Sequence, residues 1–412
     1  MAVANKKPTD VFTPRAAQVN DSMYVHRPKL EERLIDAIDS NKYIVIHGES
    51  GNGKTWLYKR VFAANNIHYD VVNLSNALVA GSLDAAFRQK LGEMGYSQMV
   101  TQETNTTVGI RPMGMGAETA MKTSQQFPLK SGFNALLERV AYRAAGRKGV
   151  LVLDNFESII GDEDSLKQLG ALIISADDES TAAHGVQVVI VGVPGNLKET
   201  ITRLTNAAPV ANRLTEIPEV ARMSEAEAHD LIKRGFIDEL GLNIDQSITQ
   251  SLYTQIAWMT DRIAQHIHEL GLIVSQRARR NGDLITQQVL DDAVATWVED
   301  SLSSDLAVIE TSMNARETRA GRKNQVLYAM GQCKTEDFKY SEIETIVRDT
   351  FSITDTQLSV SRILTEFGEA ANPIIRRTPK ADAWRFVSPK LKMAIRTKLH
   401  ITPDGKVDLQ SS

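Results

Sequence analysis

Along residues 21–222, short apolar runs alternate with stretches whose apolar positions recur every three or four residues. The runs "YIVIHG", "YDVVNLS", "GVLVLD" and "QVVIVGV" are apolar on consecutive positions, which predicts strands covered on both faces. Between them, "SLDAAFRQKLGEMG" and "GFNALLERVAYRAAG" have helical spacing, so the segment reads as an α/β layer around a parallel sheet. From residue 223 to 302 the pattern is helical throughout, in "SEAEAHDLIKRGFIDELG", "SITQSLYTQIAWM", "DRIAQHIHELGLIVSQRARRNG" and "TQQVLDDAVATWVEDSL". Ser224 followed by Glu227 has the spacing of a capping box, which marks the start of the first of these helices. Residues 303–323 read as a linker. Residues 324–412 read as three helices, an extended hairpin in "NPIIRRTPKADAWRFV" and a closing helix.

Two segments fall outside this scheme. Residues 1–20 predict a free N-terminal arm. Residues 97–132, rich in Thr, Gly and Met, are too long for an ordinary α/β connection. Val108, Ile110, Met113, Met115, Ala117 and Thr119 alternate around a break at Pro112, which predicts a protruding hairpin, with a disordered loop as the alternative.

Length and composition narrow the class. A chain of 412 residues with 42% hydrophobic and 24% charged content fits two or three domains with real cores. The net charge of -4 predicts no general attraction to nucleic acid or anionic membrane. It hides an asymmetry: from Ala315 onward there are 17 Lys and Arg against 12 Asp and Glu, +5, which leaves -9 for the rest. That bias fits either polyanion contact or a solvated basic surface. The single cysteine, Cys333, excludes an internal disulfide framework and fits a reducing compartment. No apolar run is long enough for a membrane span, and "MAVANKKPTDVFTPR" lacks the apolar middle of a signal peptide, so a cytoplasmic protein is expected.

The candidate chemistry lies in the loop after the first strand. Gly48, Glu49, Ser50, Gly51, Asn52, Gly53, Lys54 and Thr55 match G-x-x-x-x-G-K-[ST] without a mismatch, between "YIVI" and a helix opening at Lys54-Thr55-Trp56. Such a loop turns backbone N–H groups inward, and the helix adds its positive end, so it is suited to a nucleoside triphosphate. Lys54 is expected on the β- and γ-phosphates and Thr55 on Mg²⁺. Asp154, at the end of "GVLVLD", supplies a carboxylate for the metal, directly or through water. The next position, Asn155, cannot accept a proton, so Glu157 is the carboxylate available to orient water, or else a surface glutamate. Arg213 and Arg203 are candidates for a mobile positive charge acting on a neighbouring subunit, and Arg262 for one reaching back from the helical region. A salt bridge or a helix-surface arginine is the alternative for each.

Together these residues resemble AAA+ and STAND-type P-loop ATPases over roughly Tyr24 to Leu399. "YVHRPKLEERLIDAI" is similar to the start of the origin-recognition-like and STAND ATPase core, which implies Val25, His26 and Arg27 against adenine. "VVIVGVPGNLKETI", "ANRL" and "MSEAEAHDLI" resemble the ExeA and transposition-regulator ATPases. That implies Arg213 as the finger acting in trans and Arg262 near the sensor-2 position. The chain departs from the pattern in two places. The second Walker B acid is displaced to Glu157, and the sensor-1 position is Gly192, with Asn196 the nearest polar substitute. The tail resembles a winged helix-turn-helix with Trp384 and Phe386 as core anchors. Arg362 on its third helix and Arg376, Arg377, Lys380 and Arg385 on the wing are its basic groups, for DNA or for protein docking.

The expected architecture is therefore an AAA+-like P-loop NTPase core over 21–222, a helical lid over 223–302 and a winged helix-turn-helix over 324–412. The resemblance implies an ATP- and Mg²⁺-dependent oligomeric switch. It would assemble on DNA or gate an effector protein in another chain, in a bacterial defence or mobile-element setting. A DNA-binding regulator whose ATP site only controls assembly, and a nucleotide-locked scaffold with little hydrolysis, are the alternatives.

Overall fold

The computed structural model describes residues 6–40, 42–96, 131–175, 178–192, 208–314, 321–354, 358–378 and 382–410. The expected hairpin at 97–132 therefore lies, but for its last two residues, outside the described residues, as do Asn196, Arg203 and Lys380.

Five parallel strands form the central sheet in the order β2–β3–β4–β1–β5, with β1 at Tyr43–His47, β2 at His68–Asn73, β3 at Gly149–Asp154, β4 at Val186–Gly192 and β5 at Leu214–Glu216. The first four are the apolar runs expected from sequence. Their consecutive apolar residues divide between two cores, because side chains on a strand point alternately to opposite faces. Val45, Leu151, Leu153, Val188 and Ile190 belong to one core, while Ile44, Ile46, Val150, Val152, Val189 and Val191 belong to the other. The helix Lys54–Ala64 packs on the second face through Leu57, Tyr58, Val61 and Phe62. Because the strands are parallel, the C-terminal ends of β1, β3 and β4 open on one edge of the sheet, and the motif residues lie there.

The helical region is present, and the capping box forms: Glu227 N–H donates to Ser224 Oγ at 3.2 Å and Ser224 N–H to Glu227 Oε2 at 2.6 Å. Its principal helices include Glu225–Lys233, Leu252–Met259, Ala264–Arg280 and Gln287–Trp297, with a small parallel pair between β6 (Asn243–Ile244) and β7 (Leu284–Ile285). Two boundaries need correction. The described part of the N-terminal segment is no free arm. Pro8–Val11 is helical, Val11 and Phe12 are buried in the lid core, and the Phe12 ring lies over Gly235 and Gly271, where any Cβ would collide with it. One large apolar side chain fitted against two glycines outweighs the polar composition around it. The second correction concerns the linker: Ser303–Ser312 is a helix, and its Ile309 is fully buried in the core of the C-terminal module.

That module has three helices, Arg322–Gln332, Tyr340–Phe351 and Val360–Glu369, and a three-stranded antiparallel sheet in the order β8 (Phe338–Lys339), β10 (Ala383–Phe386), β9 (Ile375–Arg377). This is the winged-helix arrangement. Trp384 and Phe386 are buried in its core, as expected. The helix Pro389–Lys398 and a hairpin of β11 (Leu399–Ile401) and β12 (Val407–Leu409) follow.

Ion pairs join the modules. Asp261, 1% exposed in the lid, meets Arg222 from the core side and Lys392 (3.2 Å) and Arg396 (2.8 Å) from the winged module. Arg222 also reaches Glu336 at 3.1 Å. Asp261 stays ionised: burial works against its charge, but Lys392, Arg222 and Arg396 hold its carboxyl below the usual range. Burial lowers the Lys392 ammonium to about 7 despite Asp261. Two of the tail's cations are thus turned inward onto a carboxylate of the lid.

Candidate nucleotide site

The loop between β1 and the helix Lys54–Ala64 has the geometry its sequence requires. Gly48 passes so close to Val220 that a Cβ would lie 2.3 Å from the Val220 carbonyl oxygen. Gly53, at the helix N-cap, has φ +93° with open space around it, so the backbone conformation is what demands glycine there. Lys54 Nζ donates to the loop's own carbonyls, Gly48 O at 2.7 Å and Glu49 O at 3.1 Å. Burial lowers the Lys54 pKa, and Glu157, Asp154 and Glu49 pull it back up. The ammonium thus feels the charge of these three carboxylates. Thr55 and Trp56 occupy the first turn of the helix, and Ser50 is exposed.

Asp154 ends β3. Its Oδ1 accepts from Asn155 N–H at 2.9 Å and its Oδ2 lies 3.4 Å from the Tyr58 hydroxyl. Asn155 has φ +60° and donates through Nδ2 to Asn73 Oδ1 at 3.0 Å, so it is committed to the end of β2. A tight turn over Phe156–Ile159 then carries Glu157 toward the end of β4. A Cβ on Gly192 would be 2.9 Å from Phe156 Cβ and 3.4 Å from Glu157 Oε2. The two departures noted in the sequence are therefore one arrangement. The absent side chain at 192 leaves room for the turn that carries the displaced Glu157.

A cavity of about 40 Å³ adjoins the loop, lined among others by Tyr24, Val25, Arg27, Asn52, Trp56 and His268. It is room for a few waters, so a base needs the walls to part. Val25 and Arg27 line this cavity. His26 is a correction: its side chain is 57% exposed and lies 3.4 Å from Glu31, because neighbouring residues of this extended segment face opposite sides. Burial lowers the His268 pKa to about 4, so the ring is neutral, and its Nδ1 accepts from Thr13 N–H at 3.1 Å. Trp56 Nε1 donates to Ala16 O at 3.3 Å. The N-terminal segment thus backs this cavity, a role its sequence did not reveal.

The lid and the winged module both touch the phosphate loop. Gln265 N–H donates to Gly51 O at 3.2 Å, and Ile263 and Gln265 fill the space over Gly51. Arg262 is a second correction. With φ +58° in the tight turn before the helix Ala264–Arg280, its guanidinium bonds Lys334 O of the winged module at 3.0 Å instead of turning to the loop. The wing is a third. Arg385, 13% exposed, lies among Glu49 (3.2 Å), Glu219 (3.3 Å), Glu336 (3.6 Å) and Asp337 (2.6 Å), and Arg376 meets Glu49 at 3.3 Å. Carboxylates of its own module and of the core thus occupy Arg385 in place of an external polyanion. Arg362 and Arg377 are exposed, Arg377 lying 4.4 Å over the Trp384 ring.

Arg213 ends the helix Ala208–Arg213, immediately before β5. Tyr43 pairs with Leu214, so Arg213 stands at the end of β1 opposite the phosphate loop, roughly 17 Å of strand away. It is remote from the loop of its own chain.

Residues 38–201 match the family model described as AAA domain. The core has the fold of a P-loop NTPase. The whole chain is similar in fold to the Walker-type ATPase PABY2304 of Pyrococcus abyssi, with TM-score 0.54, 14% identity, and 94% of this chain and 99% of that one covered. It also matches the ORC2 protein of Aeropyrum pernix (TM-score 0.47, 14% identity, 95% and 96% covered) and Cdc6p of Pyrobaculum aerophilum (TM-score 0.42, 13% identity, 94% and 97% covered). No curated protein matches the chain. At these identities the likeness is one of fold alone.

The residues fit MgATP. Among the described residues no group of three or more His, Cys, Asp or Glu could hold a metal by itself. Mg²⁺ suits such a site, since it is commonly held by one or two protein oxygens together with substrate phosphates and water. No described helix is long and apolar enough to cross a membrane.

Proposed function

We propose that the protein is an ATP-binding, ATP-hydrolysing switch whose phosphate loop governs how its three modules sit together. The carrying observation is that all three converge on that loop. Lys54, Asp154 and Glu157 come from the core, Gln265 from the lid, and Arg376 and Arg385 from the wing through Glu49. In this reading Thr55 and Asp154 would hold Mg²⁺, which would supply positive charge beside the phosphates. Lys54 leaves its loop carbonyls for the β- and γ-phosphates, and Glu157 orients the attacking water. Val25, Arg27 and Trp56 surround the base.

Arg213 acts on the triphosphate of a neighbouring subunit, and its distance from its own loop supports that assignment. Self-assembly follows from a site completed in trans. The partner that reads the switch is DNA or an effector protein, in a defence or mobile-element setting. Arg362 and Arg377 are exposed cations that could meet a polyanionic partner.

Glu157→Gln tests the core of this reading. The variant is expected to bind MgATP and assemble, while steady-state phosphate release falls by roughly 10²–10⁴-fold. Unchanged turnover would remove Glu157 from the chemistry. A monomer at high concentration, with and without MgATP, would remove Arg213 from the site.

A further inference from the structure

The cavity beside the phosphate loop holds two polar atoms that the chemistry above does not use. Asn52 is 2% exposed. Its Nδ2 donates to Val220 O at 3.0 Å, and its Oδ1 is buried with no hydrogen-bond partner. The amide cannot be turned round, because a carbonyl only accepts and would then face Oδ1. Arg27 is held by Nη1 to Ala221 O at 2.8 Å, with Nε 4.0 Å from Glu227 Oε1, and its Nη2 is likewise buried without a partner. Both residues line the cavity, and the rest of its wall is largely apolar: Met23, Val25, Leu57, Met223, Leu231 and Ala264.

A buried acceptor and a buried donor left open in one apolar slot are costly, and native structures rarely leave such atoms unpaired without a ligand or water. A flat aromatic heterocycle that offers an amine donor beside a ring-nitrogen acceptor satisfies both. Adenine has that edge, N6–H₂ beside N7. Guanine presents acceptors at both O6 and N7. Guanine would answer Arg27 but set O6 against Asn52 Oδ1.

Resting on the nucleotide site proposed above, we propose that the Asn52 side chain, with Arg27, is the specificity determinant that selects adenine over guanine nucleotides. Asn52 Oδ1 accepts from the exocyclic amine, and Arg27 Nη2 donates to the neighbouring ring nitrogen. The Asn52 amide is oriented by Val220 O, which leaves Oδ1 as the free acceptor once the walls part for the base. Residue 52 thus does two jobs, with its backbone in the phosphate loop and its side chain at the base.

The test is calorimetric titration of the full chain with the Mg²⁺ complexes of ATP, GTP and purine riboside triphosphate, which lacks the amine. The wild-type protein is expected to bind ATP roughly tenfold to a hundredfold more tightly than either of the others. Asn52→Leu is expected to bring ATP and purine riboside triphosphate to the same affinity. If the wild type binds ATP and purine riboside triphosphate equally, or if Asn52→Leu keeps the preference, the assignment is overturned. The wild-type comparison stands even if that variant fails to fold. Absence of binding by all three triphosphates would instead overturn the nucleotide site itself.

Discussion

Adding a single methyl group at Gly192 should disable hydrolysis without touching the phosphate loop. A Cβ there would lie 2.9 Å from Phe156 Cβ, whereas carbon atoms in contact prefer about 3.5–4.0 Å. The shortfall is therefore about 0.6–1.1 Å. Phe156 is 2% exposed and packed in the core, so it cannot yield by rotating into solvent. The shift has to be taken up by the turn Phe156–Ile159, and that turn carries Glu157, whose Oε2 is itself 3.4 Å from the new atom. Overpacking of this kind costs about 1–3 kcal/mol of stability. A displacement near 1 Å of a positioned group costs about 10²-fold in rate. Gly192→Ala is thus expected to bind MgATP as the wild type does and to release phosphate about a hundredfold more slowly at saturating ATP. Phosphate release measured beside calorimetric ATP binding and denaturant unfolding separates these effects. Turnover within twofold of wild type would refute the claim that the space at Gly192 positions Glu157.

Phe12→Ala removes a ring 1% exposed from the slot over Gly235 and Gly271, and should cost about 3–5 kcal/mol in denaturant unfolding. A loss below about 1 kcal/mol would mean the N-terminal segment is no part of the lid core. The protein should also lose stability in mild acid through His268. Its pKa is about 4 in the folded chain against 6.5 ordinarily, so the unfolded chain takes up the proton first as pH falls. The stability His268 contributes above pH 6.5 is lost as pH drops through about 4, about 3 kcal/mol in all. His268→Gln should flatten the melting profile across that window, and an unchanged profile would assign the acid sensitivity elsewhere.

Much of the fold was legible because consecutive apolar residues, glycine spacing and a capping pair act locally. The four long strands, the phosphate loop and the helix Glu225–Lys233 follow from such signals. β5 escaped because it has three residues and only Leu214 is buried. The described N-terminal segment escaped because its place depends on Phe12 meeting two glycines more than 200 residues away. Glu157 and Gly192 each read as a weakness in isolation, and only the geometry makes them complementary. The wing arginines read as a surface for DNA or for protein docking because nothing local announces that Glu49, Glu219, Glu336 and Asp337 gather around Arg385. Long-range charge pairing is invisible to composition, although the opposite net charges of the tail and the remainder were its trace.

The central claim is that the loop Gly48–Thr55 grips a magnesium-bound triphosphate through Lys54. Calorimetric titration of MgATP into wild type and Lys54→Ala tests it most directly. Saturable binding to the wild type, weakened at least about tenfold in a variant with an unchanged circular dichroism spectrum, is the expected result. No binding heat with the folded wild type, or equal affinity in the variant, would contradict it.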